Sequence, residues 1–271
     1  MSQQRISWFG QVNVYIGKAY RTFINERMWK AFISSAIIAA IVTWVAGADT
    51  FLTYRATSLG AFALVCACIW IGIFSSIQSV CRERAIIKRE YRTGLYLSSY
   101  ITARMFYEMV ISLISALIVV VVVYIFRSPP TWGVMFPGAV ELFVTFFLII
   151  FAAAAMGLLL SCVAKTENAA MTVMPFVLIL QLVMSGVVFE LTGVASFISN
   201  LTISKWGVRA VCTISDVNTM MDTLFIPDFD SYSYLFTSGH LVRLWVILLL
   251  FVVLFGVFSV FSLRFIEKDE R

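Results

Sequence analysis

Six apolar runs, at roughly 31–48, 58–80, 102–126, 136–162, 169–189 and 241–264, take up most of this 271-residue chain. A helix that crosses a bilayer needs about 20 consecutive apolar residues, and each run is near that length. The chain is 61% hydrophobic and 13% charged, whereas a soluble domain is about 45–50% apolar and about 25% charged. A soluble fold of this size has no interior large enough for that much apolar surface. The runs are continuous rather than ten-residue alternating segments, which selects helices over a barrel. The reading is an all-α membrane protein with six transmembrane helices.

The loops give an orientation. With the N-terminus inside, the inner segments hold 15 of the 20 Lys and Arg residues, from Arg5, Lys18, Arg21 and Arg27 through Arg82 to Arg104 and on to Lys268 and Arg271. The outer segments keep Arg55, Arg127, Lys205, Arg209 and Arg243. This positive-inside bias places both termini in the cytoplasm. The net charge of +5 belongs to that bias, and no nucleic-acid partner is expected.

Residues 1–29 are read as a connecting segment with an amphipathic interfacial helix. Phe9, Val12, Ile16, Ala19 and Phe23 recur at helical spacing, with Gln11, Lys18, Arg21 and Asn25 mainly opposite. Residues 30–271 form the transmembrane domain. Its outer loop, 190–240, contains apolar residues at mixed helical spacing broken by Gly193 and Gly207, so short outer helices are expected between the fifth and sixth spans. Asp216, Asp222, Asp228 and Asp230 make its second half acidic.

Several chemistries are poorly supported. There is no G-x-x-x-x-G-K-[ST] segment, so the chain has no P-loop of its own. His240 is the single histidine, and Cys66, Cys68, Cys81, Cys162 and Cys212 are scattered. No metal or cofactor is expected on this chain.

The inner loop 81–101 stands out. A positive-inside role alone explains Arg82, Arg84, Lys88 and Arg89. It does not explain Glu83 and Glu90, one heptad apart, or the aromatic cluster Tyr91, Tyr96 and Tyr100. Together they predict a short amphipathic helix that docks onto a protein partner. Arg104 and Glu108 follow at i, i+4, a spacing that allows pairing near the membrane boundary. The plainer reading of that pair is local charge neutralisation. In the fifth run, Gln181 either faces a cavity or bonds a neighbouring helix, and Pro175 predicts a kink. Val187 and Val188, after Gly186, have the character of an apolar gate.

These residues resemble a known family. Glu83, Arg84, Lys88, Arg89, Glu90, Gly94, Tyr96, Ser99 and Tyr100 fall in an order similar to the E-R-x-x-F-x-R-E-x-x-x-G-x-Y signature of G-subfamily ABC transporter membrane domains, the White and pleiotropic-drug-resistance type. Ile86 and Ile87 stand where the family usually has an aromatic. Ser185-Gly186-Val187-Val188 and Ser204-Lys205-Trp206-Gly207 resemble a second family segment.

The resemblance implies that 81–101 is a coupling helix seated in an ATPase cleft, with Glu83, Arg104 and Glu108 as a polar relay. It implies a homodimer whose second and fifth spans line a cavity, with Phe74 and Gln181 at the substrate and Val187 and Val188 as the outer gate. ATP and Mg would belong to two copies of a partner ATPase. Family members usually carry the ATPase ahead of the membrane domain. Here the interfacial helix follows Met1 almost directly, so a separate subunit in a bacterial cytoplasmic membrane is expected. The reading is a permease for a hydrophobic or amphipathic substrate, with direction of export resting on the resemblance. A lipid-linked glycan exporter of the O-antigen or teichoic-acid type is the alternative. An intramembrane serine protease built on Ser185 and His240, or a channel, is a distant one.

Overall fold

The computed structural model describes residues 7–25, 29–189, 191–221 and 231–265. Arg5, Arg27, Asp222, Asp228, Asp230, Lys268 and Arg271, all weighed above, lie outside them. The described residues form eleven α-helices and one 3-10 turn, with no strand. The helices are α1 (Trp8–Asn25), α2 (Lys30–Val45), α3 (Tyr54–Ser76), α4 (Ser79–Arg92), α5 (Leu97–Phe126), α6 (Gly138–Val163), α7 (Glu167–Val183), α8 (Gly193–Ser199), α9 (Ile203–Ile214), α10 (Val217–Met221) and α11 (Ser238–Leu263).

Four helical stretches are long and apolar enough to cross a membrane: Tyr54–Arg92, Leu97–Phe126, Gly138–Val163 and Ser238–Leu263. Taking α1 and α2 as one bent span raises the number to five. Length and composition therefore support four to five spans where the sequence predicted six. The first run falls short because α2 has only 16 residues, and the chain turns at Gly47 (φ +90°). The fifth stops at Val183, since 184–189 turns through Gly186 (φ +78°), a conformation that glycine adopts without a Cβ clash.

The packing centre is α6, which touches α3, α5, α9 and α11. Ala152, Ala153, Ala154 and Ala155 are fully buried. A Cβ at Gly72 of α3 would overlap the carbonyl oxygen of Ile150, and one at Gly157 of α6 would overlap Ser76. Small residues on both helices thus let the two backbones meet, which is how apolar helices gain contact where no water drives them together.

Within the segment 190–240, α9 is more deeply packed than a surface loop. All of Ile203, Ser204, Gly207, Val208, Ala210, Val211, Cys212, Thr213 and Ile214 in α9 are buried, and α9 contacts α3, α6 and α11. At the start of α6, Glu141 is fully buried. Its carboxylate accepts from the backbone N–H groups of Val134 (2.8 Å), Met135 (2.5 Å) and Phe136 (2.9 Å), tying down the α5–α6 connection.

Candidate functional site around the α4 helix

The predicted helix within 81–101 exists, but it is not a separate element in a long loop. It is α4, which continues α3 after two residues to make one 39-residue stretch. The remaining loop is only 93–96, because α5 begins at Leu97. Gln78 supplies no side-chain cap to α4. Instead Ser161 of α6 accepts from Val80 N (3.0 Å) and Cys81 N (3.1 Å), satisfying N–H groups that a helix start leaves open. Arg84 returns the contact, donating to the carbonyls of Cys162 (2.9 Å) and Ala164 (3.1 Å) at the end of α6. Arg84, expected at a partner's surface, is thus committed within the chain.

The two carboxylates of α4 turn toward α1. Glu83 accepts from Lys18 Nζ (3.2 Å) and Tyr100 Oη (3.1 Å). Glu90 accepts from Tyr15 Oη (2.6 Å). One turn away, Gln11 donates to the Gly94 carbonyl (3.2 Å) and accepts from Tyr96 N (2.9 Å) and Ser99 Oγ (3.0 Å). Trp8 donates to Ser98 Oγ (3.0 Å). Trp8, Gln11, Tyr15 and Lys18 follow one another every three or four residues, so they share one face of α1. The sequence placed Gln11 and Lys18 opposite an apolar stripe expected to lie on the membrane surface. Both find polar partners on α4, α5 and the 93–96 loop, while Phe9, of the apolar stripe, is 79% exposed. Burial, together with the hydrogen bond to Glu90 and the charges of Glu90 and Glu83, pushes the Tyr15 phenol far above its ordinary value. It therefore remains a donor at neutral pH.

Tyr15, Lys18, Glu83, Tyr100 and Arg104 line one crevice of about 10 Å³, room for about one water. Of the predicted relay, Glu83 and Arg104 come together there. Glu108 does not join them. It is fully buried one turn further along α5, with Oε2 accepting from Ser75 Oγ (2.9 Å) and Oε1 without a partner. Arg104 reaches back to the Ser79 carbonyl (3.1 Å) rather than forward to Glu108.

The opposite side of α4 is open. Arg82, Ala85, Ile86, Arg89 and Arg92 are exposed, at spacings that form one stripe along the helix, and Tyr96 in the following loop is exposed as well. Lys88 and Tyr91 are half-buried, Tyr91 against the cluster around Val80 and Ile87. Gly94 takes φ +108° in the turn. Of the residues named for docking, Arg89 and Tyr96 are exposed, and so are Arg82, read only as an orienting charge, and Ile86, read only as a departure from the family pattern. Their spacing from Arg89 was the available signal.

Phe74 is half-exposed, stacks on Trp70 with ring centroids 5.9 Å apart, and lines a groove of about 240 Å³ with Ser34, Ser35, Ser75 and Ser115. Gln181 lies elsewhere. It is 4% exposed, accepts from Ser204 N (3.1 Å) and donates to the Met156 sulfur (3.6 Å). Of its two predicted roles, it takes the bond to neighbouring helices. Val187 is half-buried against the core, and Val188 is 51% exposed beside it. Ser185 Oγ accepts from Val187 N, while the His240 ring pairs with the Ser233 carbonyl. They take separate partners, so no catalytic pair is assembled. No group of metal-ligating side chains occurs among the described residues.

Comparison with known proteins gives two matches. The sequence model of the family described as ABC-2 type transporter matches residues 15–214. The ABC transporter ATP-binding/permease protein Rv1747 of Mycobacterium tuberculosis (strain ATCC 25618 / H37Rv) is 30% identical over 153 residues. That stretch is 55% of this chain and 18% of the mycobacterial protein.

Proposed function

The chain belongs to the ABC-2 type transporter family and is a membrane-embedded permease component of an ABC transporter; from that premise we propose that it is the membrane half of an ATP-driven exporter for a hydrophobic or amphipathic substrate. Two copies would pair, each with six crossings once α2 and α7 complete the bundle. The N- and C-termini would be cytoplasmic, in a bacterial cytoplasmic membrane, and α1 would lie along its inner face. ATP and Mg would be held by a separate ATPase, one copy under each permease. The resemblance to the G subfamily supports this arrangement.

One observation carries the reading: α4 buries its carboxylates against α1 and leaves a cationic stripe with Ile86 and Tyr96 facing outward. A helix held this way on one side and open on the other is suited to seating in a partner's cleft. Because α4 continues α3, closure of the ATPases would be passed along one helix to Phe74 and the groove beside it. Substrate would leave past Val187 and Val188. The mycobacterial relative, named as ATP-binding and permease in one protein, supports the pairing of the two activities.

The test is a mild-detergent capture of the tagged chain from its native host, followed by a vanadate-sensitive ATPase assay. Recovery of a P-loop protein at equal stoichiometry, with activity, is the expected result. A chain recovered alone and inactive would refute the reading.

A further inference from the structure

The α8–α9 hairpin carries two cations to the middle of the bundle. Gly207 packs against the side chains of Val65 and Ile149, which are the central residue of α3 and a near-central residue of α6. Ser204, one turn earlier, donates from its backbone N–H and its Oγ to Gln181, which also touches Met156. The start of α9 therefore lies at mid-depth of the helices around it. Lys205 belongs to that first turn, and Arg209 follows at i, i+4.

Among the described residues neither cation meets a carboxylate. Lys205 Nζ donates to Ser199 Oγ (2.8 Å) and Asn200 Oδ1 (2.8 Å), both uncharged and both at the hinge where α8 turns into α9. Its side chain thus runs toward the hinge, away from the end of the bundle where Cys212 lies. Arg209 stands over the Trp206 ring at 5.5 Å, and Trp206 is fixed by its own bond to the Asn200 carbonyl (2.8 Å). Both cations are only half-buried, so each keeps surface on which a ligand could be met. Charges at that depth do not face acyl chains. Two like charges held one turn apart with no counter-ion attract an anion.

We propose that Lys205 and Arg209 form a binding site for the anionic group, a phosphate or carboxylate, of an amphiphilic substrate passing through the permease. Trp206 supplies an apolar face beside it, and Asn200 orients Lys205. This rests on the transport reading above and narrows its substrate class to anionic amphiphiles.

The test uses the full chain in phosphatidylcholine nanodiscs and radiolabelled dodecyl phosphate, read by scintillation proximity. Wild type should bind the probe, and unlabelled dodecyl maltoside should displace it at least about tenfold less well than dodecyl phosphate. Lys205→Gln and Arg209→Gln should each weaken binding by about tenfold, while Lys205→Arg and Arg209→Lys should stay close to wild type. Equal displacement by the maltoside, or unchanged binding in both glutamine variants, would overturn the proposal. Displacement by inorganic phosphate as effective as by dodecyl phosphate would make this a free-anion site and overturn the amphiphile assignment. Loss of probe binding on adding phosphatidylglycerol to the nanodiscs would assign the site to bilayer lipid and overturn the substrate role. No ATPase is needed for this readout, so its failure is distinct from failure to capture a partner.

Discussion

Tyr15 of α1 donates a 2.6 Å hydrogen bond to the Glu90 carboxylate of α4. One helical turn along, Lys18 meets Glu83 in the same way. The two contacts make α1 a brace for the element that would receive a partner, and they divide the charges of α4 into a held set and an offered set.

Glu83 links three helices, so its loss should separate stability from coupling. In Glu83→Ala the Tyr100 hydroxyl, on a residue only 1% exposed, loses its partner, which costs about 1–3 kcal/mol. The half-exposed Lys18 contact adds about 0–1 kcal/mol. Assembly is expected to survive. ATP hydrolysis should continue while transport per ATP falls, measured in proteoliposomes with the captured complex. An unchanged ratio would remove Glu83 from the relay.

The Tyr15 contact predicts a pH window. An ordinary tyrosine ionises near 10, and here the folded value is raised. The stabilisation is therefore fully present below pH 10, where the unfolded phenol is still protonated, and is lost as pH rises toward the folded value. Hydrogen exchange in α1 should be flat in its protection from neutral pH to just below 10 and should increase above it. Tyr15→Phe should remove that alkaline component. A loss of protection centred near neutral pH would contradict the assignment.

Ser161 is a cap supplied from another helix. Ser161→Ala leaves Val80 and Cys81 N–H groups unpaired where α4 begins, at a cost of about 1–3 kcal/mol. The expected outcome is a lower melting temperature with faster exchange at 79–82. A melting temperature matching wild type would show that α4 is held by its other contacts alone.

Gly72 sits where α3 and α6 backbones touch. Gly72→Val would drive a side chain into Ile150, and overpacking of this kind costs about 1–3 kcal/mol or more. Gly239→Val, where a Cβ meets nothing within 4 Å, is the matched control. Size-exclusion profiles should show the first variant aggregated and the second monodisperse. Equal profiles would refute the close-packed interface.

Much of the helical frame was readable in the sequence. The predicted span 136–162 matches α6 within two residues, and 241–264 matches α11 within three. Long apolar runs bounded by polar turns leave little choice in a bilayer. The site was less legible. Arg84, Glu83 and Glu90 were recognisable as unusual charges, yet apart from Tyr100 their partners lie 65 to 80 residues away in the chain. Local periodicity does not reveal which polar atom a distant helix will supply. The polar side of α1 shows the same limit: Gln11 and Lys18 look solvent-facing until the 93–96 turn and Glu83 are placed beside them. Glu141 drew no notice, because a lone carboxylate opening a helix reads as a complement to its dipole. Only the fold shows three backbone amides converging on it.

The union of α3 and α4 has a mechanical consequence. At 1.5 Å per residue, 39 residues extend about 58 Å, whereas a bilayer with its headgroups is about 40–45 Å thick. Held along the membrane normal, the rod would leave more than about 13 Å clear of the lipid. If a partner grips the projecting end, as proposed above, the rod would act as a lever, with the Ser161 contact the point at which it is held nearest that end. A tilt of a few degrees there sweeps Phe74 only slightly but carries the far end, near Tyr54, several times as far. Small movements in the cytoplasm would thus be delivered enlarged at the opposite face of the membrane.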